Sequence, residues 1–197
     1  MMEDAIDKEA VTRLDILISQ KITALWTPWL NKTMIIIGDI FGTNIFLILG
    51  VVVCLVLIYK RRRRNCLLTI FSLSGGYALE SLLKQIIQRA RPENALVGHA
   101  KFSFPSGHAT MSIIFFCLLI YLFRDGIKNK IAKHFFIAVN ILLFLLVGFS
   151  RIYMNVHWFS DVIAGFALGL FWLTLLILIF EYFMFLNTKM FKFFSSA

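Results

Sequence analysis

Charge is what this chain has least of. Only 16% of its 197 residues are charged, and acids are the scarcer sign, with 11 Asp and Glu against 20 Lys and Arg. Soluble domains carry about 25% charged residues, so a soluble globular chain is disfavoured at the outset. Proline is rare as well, with three in the chain, so little interrupts long helical runs. The three cysteines, Cys54, Cys66 and Cys117, lie in or beside apolar runs without metal-ligand spacing. Packing is their expected role, and neither a zinc site nor a disulfide framework is expected. Internal repeats and low-complexity linkers are missing too. Residues 3–15 carry acids where a signal peptide would have a basic start and an apolar core, so no cleavable signal peptide is expected.

What is present is apolar. Hydrophobic residues make up 59% of the chain and the mean hydropathy is +0.81. They come as long runs, which predicts an all-α polytopic transmembrane bundle. Five spans are expected: about 44–59, 66–84, 107–123, 133–149 and 158–186. Ahead of them, Ile6, Ala10, Leu14, Leu17, Ile18, Ile22 and Leu25 recur at three- and four-residue steps. Asp7, Lys8, Arg13 and Lys21 dilute this stretch too much for a span, and Trp26 and Trp29 follow it. Residues 1–30 therefore read as an amphipathic segment on the membrane surface, and 31–197 as the embedded domain.

Basic residues set the orientation. Lys60, Arg61, Arg62, Arg63 and Arg64 separate the first two spans, Arg124, Lys128, Lys130 and Lys133 the third and fourth, and Lys189 and Lys192 follow the fifth. Alternation places all three groups on one side, which the positive-inside rule makes cytoplasmic. The +9 formal charge thus reports topology, and no nucleic-acid partner is expected. Segments 85–106 and 150–157 face the other side.

Those segments hold the chemistry. Lys84, Arg91 and Pro92 end the second span. Pro105, Ser106, Gly107 and His108 begin the third. Ser150, Arg151, His157 and Asp161 join the fourth and fifth. A bundle brings these ends together. Lys84, Arg91 and Arg151 call for an anion, and phosphate suits the arginine fork. Ser106 and Gly107 open a helix whose free N–H groups favour the same charge. His157 and Asp161, four apart, share a helix face, so the carboxylate can accept from one ring nitrogen and leave the other nucleophilic. His108, on another helix, can donate a proton to a departing oxygen.

The order Lys-x6-Arg-Pro, Pro-Ser-Gly-His, Ser-Arg-x5-His-x3-Asp resembles the signature of the type-2 phosphatidic acid phosphatase superfamily at every specified position. The resemblance implies a phosphohistidine at His157, orientation by Asp161, and acid then base catalysis by His108. Lys84, Arg91, Arg151, Ser106 and the Gly107 N–H would hold the phosphoryl oxygens, with Pro105 and Ser150 in supporting places. It implies no metal and no cofactor. The substrate would be a membrane lipid phosphate or diphosphate, hydrolysed on the outer face of a bacterial cytoplasmic membrane. Undecaprenyl diphosphate leads the candidates, ahead of phosphatidylglycerol phosphate, phosphatidic acid and a lipid A phosphate. The motif reads only the phosphoryl group, and segment 93–104 is expected to help choose. Soluble vanadium haloperoxidases share the anion cage, but the spans argue against that relation. A lipid-binding or transport protein with a dead site is the remaining alternative.

Single residues have plainer readings. Arg91 and Arg151 could be boundary anchors, and Pro-Ser-Gly a helix cap; the joint arrangement is what favours chemistry. His99 and His134 are expected to be ordinary loop and surface residues. Glu80, one turn before Lys84 in an apolar run, is expected to pair with Lys84, where the family more often carries an amide. Asp39 has no assigned role.

Overall fold

The computed structural model describes residues 2–98 and 101–195, with side-chain surroundings described for 11–98 and 101–185. The described residues form seven helices: α1 (Met2–Thr23), α2 (Pro28–Ile40), α3 (Thr43–Tyr59), α4 (Arg63–Ile87), α5 (Gly107–Phe123), α6 (Lys130–Tyr153) and α7 (Phe159–Ser195). A short 3-10 turn, Arg124–Gly126, follows α5. No strand occurs among the described residues. The all-α expectation holds.

Among the described residues four helices are long and apolar enough to cross a membrane, and α2 with α3, bent by 47° at a short break, passes the same test as a pair. The break is written locally. Pro28 sits in the first turn of α2, where its missing N–H costs nothing, and Gly42 caps α3. The sequence reading recognised the α3 half and missed α2. Large apolar side chains face outward along the bundle, among them Leu55, Phe71, Leu142 and Phe171. With the lengths and hydropathy of the spans, this makes the chain an integral membrane protein.

Helix α5 is the axis. It packs against α3, α4, α6 and α7, and Met111, Ile114, Phe115, Phe116 and Leu118 on it are buried. Two α7 glycines allow close approach. A Cβ at Gly165 would stand 2.7 Å from the Ser106 carbonyl oxygen, and one at Gly169 would stand 2.5 Å from Ile113 Cγ2. Small residues four apart are a common device for bringing membrane helices together. The consequence reaches the helix ends, where the Ser106 N–H donates to the Asp161 carbonyl at 3.0 Å.

Helix α1 rests on α6 and α7. Its expected apolar stripe divides: Ile22 is buried, whereas Leu14 and Leu17 point outward with Val11. The side chains of Ile6 and Ala10 lie outside the described residues. Trp29 is exposed, while Trp26 donates its indole N–H to the Tyr153 carbonyl at 2.8 Å.

Candidate functional site

The C-terminal ends of α4 and α6 and the N-terminal ends of α5 and α7 meet at one end of the bundle, opposite the Lys60–Arg64 block. Between them lies a cavity of about 260 Å³, lined by Lys84, Arg91, His108, Arg151 and His157, with Thr43, Val97, Gly98 and Val156. All three predicted cations and both predicted imidazoles thus share one cavity.

His157 is 4% exposed, in the loop before α7. Its Nδ1 lies 2.7 Å from the Ser103 carbonyl oxygen and 3.6 Å from Asp161 Oδ2. A carbonyl only accepts, so Nδ1 carries the proton and Nε2 keeps its lone pair. Arg91 Nη1 lies 3.2 Å from that Nε2 and also donates to the Val156 carbonyl. Burial pushes the His157 imidazole down to about 4; Asp161 opposes this, while Arg91 and Lys84 add to it. Burial lowers the Arg91 guanidinium from its ordinary value, against the charges of Asp161 and Glu80.

His108 faces the same space from the first turn of α5. Its Nε2 lies 3.2 Å from Arg151 Nη1, and its ring faces the backbone of Gly38. Arg151 Nε donates to Ser150 Oγ at 3.2 Å. A Cβ at Gly38 would fall 1.6 Å from Arg151 Nη2, so only glycine leaves room for that guanidinium. Asp39, the next residue, faces Arg151 electrostatically, which gives this acid a place. Among the described residues, the buried Arg91 Nε and Arg151 Nη2 have no protein partner. Buried donors without partners are uncommon and mark a place where an acceptor belongs.

Lys84 is ion-paired with Glu80, which is 3% exposed. Ser106 and Gly107 are buried but do not line the cavity. Ser106 instead caps α5, its Oγ accepting from the Ala109 N–H at 3.5 Å. Pro105 is buried just before it, and Ser150 Oγ donates to the Val147 carbonyl at 2.7 Å. His134 lies at the opposite end, its Nδ1 2.7 Å from the Lys130 carbonyl; His99 lies outside the described residues. In segment 93–104, the Leu96 N–H donates to the Met154 carbonyl at 2.9 Å, and Val97 and Gly98 reach the cavity.

Sequence reasoning missed Ser103, Arg89, Asp15 and Gly38. Ser103 carries no pattern of its own. Arg89 stood inside the Lys84–Pro92 stretch, and an acid between Leu14 and Ile16 was a signal left unread.

Comparison with known proteins finds relatives along most of the chain. Phosphatidylglycerophosphatase B of Bacillus subtilis is 32% identical over 169 residues, 84% of this chain and 83% of its own length. The crystal structure of the transmembrane PAP2 type phosphatidylglycerolphosphate phosphatase from Bacillus subtilis superposes with a TM-score of 0.79 at 30% identity, covering 91% of this chain and 90% of that one. An undecaprenyl-diphosphatase of Sulfolobus acidocaldarius is 30% identical over 60% of this chain and 56% of its own length. The profile of the PAP2 superfamily matches residues 65–185, which hold every motif described above, and the chain therefore belongs to the PAP2 superfamily of membrane lipid phosphatases.

Proposed function

We propose that this protein hydrolyses the terminal phosphate of a membrane lipid through a phosphohistidine at His157, without a metal or cofactor. One observation carries the reading. The unprotonated Nε2 of His157, with Arg91 Nη1 3.2 Å away, is at a cavity that also holds Lys84, Arg151 and His108. Substrate phosphoryl oxygens would take the arginine donors, including Arg91 Nε and Arg151 Nη2.

In the first step Nε2 attacks phosphorus, an N–P bond forms and the P–O bond to the lipid breaks. His108, protonated on Nε2 once Arg151 has turned to the phosphate, gives that proton to the departing oxygen. In the second step His108 takes a proton from water, whose oxygen attacks phosphorus. The N–P electron pair returns to Nε2 and phosphate leaves.

Two headgroups lead. Similarity along most of the chain to the Bacillus subtilis protein favours phosphatidylglycerol phosphate. Undecaprenyl diphosphate stays beside it, supported by the Sulfolobus relative and by the direction the site faces. The basic Lys60–Arg64 end supports a cytoplasmic position for that end and, with it, a cavity on the outer face of a bacterial cytoplasmic membrane. An apolar groove between α3 and α4, lined by Leu47, Val51, Leu55, Ile70 and Leu73, is suited to a lipid chain.

Phosphate release by the purified protein from phosphatidylglycerol phosphate, undecaprenyl diphosphate, phosphatidic acid and a lipid A phosphate tests all of this. The wild type should release phosphate and His157→Ala should not. Equal release by both removes the enzymatic reading. Lipid binding without release by the wild type selects the dead-site alternative.

A further inference from the structure

Asp15 has no part in the phosphate chemistry, yet it is 2% exposed on a helix whose Val11, Leu14 and Leu17 face outward. A buried carboxylate is costly unless its oxygens are bonded. Here they are. Oδ1 accepts from the Ser160 N–H at 2.9 Å, and Oδ2 accepts from Ser160 Oγ at 2.5 Å and from Arg89 Nη2 at 2.6 Å. Ser160 lies in the first turn of α7, so Asp15 supplies from another helix the negative charge and acceptor that an exposed helix start needs.

Arg89 continues the connection. Its Nη1 donates to Asp161 Oδ1 at 2.7 Å and to Ser160 Oγ at 2.6 Å, and its guanidinium lies 5.6 Å from the Trp158 ring centroid. Its backbone carbonyl accepts from the Ser103 N–H at 2.9 Å and from Ser103 Oγ at 3.2 Å. Ser103 is the residue whose carbonyl meets His157 Nδ1, and Asp161 is the carboxylate beside it. One residue therefore holds both acceptors that face Nδ1, and Asp15 holds that residue.

We propose that Asp15 and Arg89 form a positioning device for His157, in which α1 clamps Arg89 so that Arg89 fixes Asp161 and Ser103. Neither residue lines the cavity; both act through the groups behind the imidazole. The inference rests on the reading of His157 as nucleophile.

Charge gives the device a signature beyond packing. His157 is faced by Lys84 from α4, with Glu80 beside it, by Arg91 from the loop after α4, by His108 from α5 and by Asp161 from α7. Arg151 on α6 stands against His108, with Asp39 of α2 behind it. Arg89 divides its charge between Asp15 and Asp161. Asp15→Asn turns the whole cation onto Asp161, which then supports less positive charge on His157. Asp15→Asn with Arg89→Gln leaves Asp161 without its counter-charge, and it then supports more.

The experiment measures kcat, KM and the acid limb of kcat/KM in wild type, Asp15→Asn, Asp15→Asn/Arg89→Gln and Arg89→Lys, each checked for a single dispersed species. Substrate ionisation is common to all four. Expected are KM within about twofold and kcat lower by about tenfold in Asp15→Asn and Arg89→Lys, and by about a hundredfold in the double variant. The acid limb should move to lower pH in Asp15→Asn and to higher pH in the double variant. Wild-type kcat in Asp15→Asn and Arg89→Lys overturns the inference. So does a fall in kcat with no movement of the limb, which is what a merely loosened fold gives. A wild type that releases no phosphate instead overturns the reading of His157 itself.

Discussion

Arg91 Nη1 lies 3.2 Å from Nε2 of His157, so the guanidinium stands against the lone pair that would attack phosphorus. On the proposed mechanism, a phosphoryl oxygen bound by Arg91 would free that lone pair and so couple binding to activation of the nucleophile. Arg91→Lys keeps the charge and loses the fork. It is predicted to raise KM about tenfold and lower kcat by a similar factor, read by steady-state kinetics with a lipid phosphate.

The His157 ring is held neutral far into acid. Its value falls from the ordinary imidazole range to about 4, chiefly through burial, with Arg91 and Lys84 adding to the effect. The neutral, nucleophilic form therefore persists from neutral pH down to the region of pH 4, and only below that does protonation occupy Nε2. A 13C-histidine NMR titration in detergent, assigned with His157→Gln, should find this resonance unmoved between pH 7 and pH 5. A midpoint near 6.5 would contradict it.

His108 stands 3.2 Å from Arg151 through its Nε2 and is the proposed proton donor. His108→Asn should lower kcat by about 10²–10⁴-fold on an alkyl phosphate. The loss should shrink on an aryl phosphate, whose leaving oxygen departs without a proton. Equal losses on both substrates would assign His108 to binding instead.

Gly38 and Gly169 separate site geometry from fold stability. At Gly38 a Cβ meets Arg151 Nη2 at 1.6 Å, so Gly38→Ala is expected to displace the guanidinium and lower kcat/KM about a hundredfold. At Gly169 a Cβ meets Ile113 Cγ2 at 2.5 Å and the Thr110 carbonyl oxygen at 2.7 Å. Gly169→Ala should cost about 1–3 kcal/mol by overpacking α5 against α7, measured by thermal unfolding in detergent. Gly126→Ala, whose Cβ meets nothing within 4 Å, is the control.

The spans could be read from composition because a membrane helix must satisfy its own backbone and face lipid with apolar side chains. That rule acts on about 20 residues at a time. Helix α2, 13 residues long and ended at Phe41 and Gly42, falls below that length, and with it went Gly38 and Asp39. The site cations and imidazoles were legible for a different reason: Lys84, Arg91, His108, Arg151 and His157 are costly at apolar helix ends, so their presence signals use. The groups that hold them were not. Ser103 acts through its carbonyl, which every residue owns, and its place depends on a loop returning to Arg89. Asp15 lies 145 positions from Ser160 and carries no local trace of that contact.

The sidedness of the site has its own check. In a cysteine-free background, a cysteine at exposed Glu93 should react with a membrane-impermeant thiol reagent in intact cells, and one at exposed Lys128 only after lysis. The reverse pattern would place the cavity in the cytoplasm.

Rapid quenching of turnover with a 32P-labelled lipid phosphate tests the central claim most directly. Phosphorylated protein that is labile to acid and stable to base should form in the wild type and be missing in His157→Gln. A wild type that turns over without any protein-bound phosphate, or a His157→Gln protein that is labelled as fully, would contradict it.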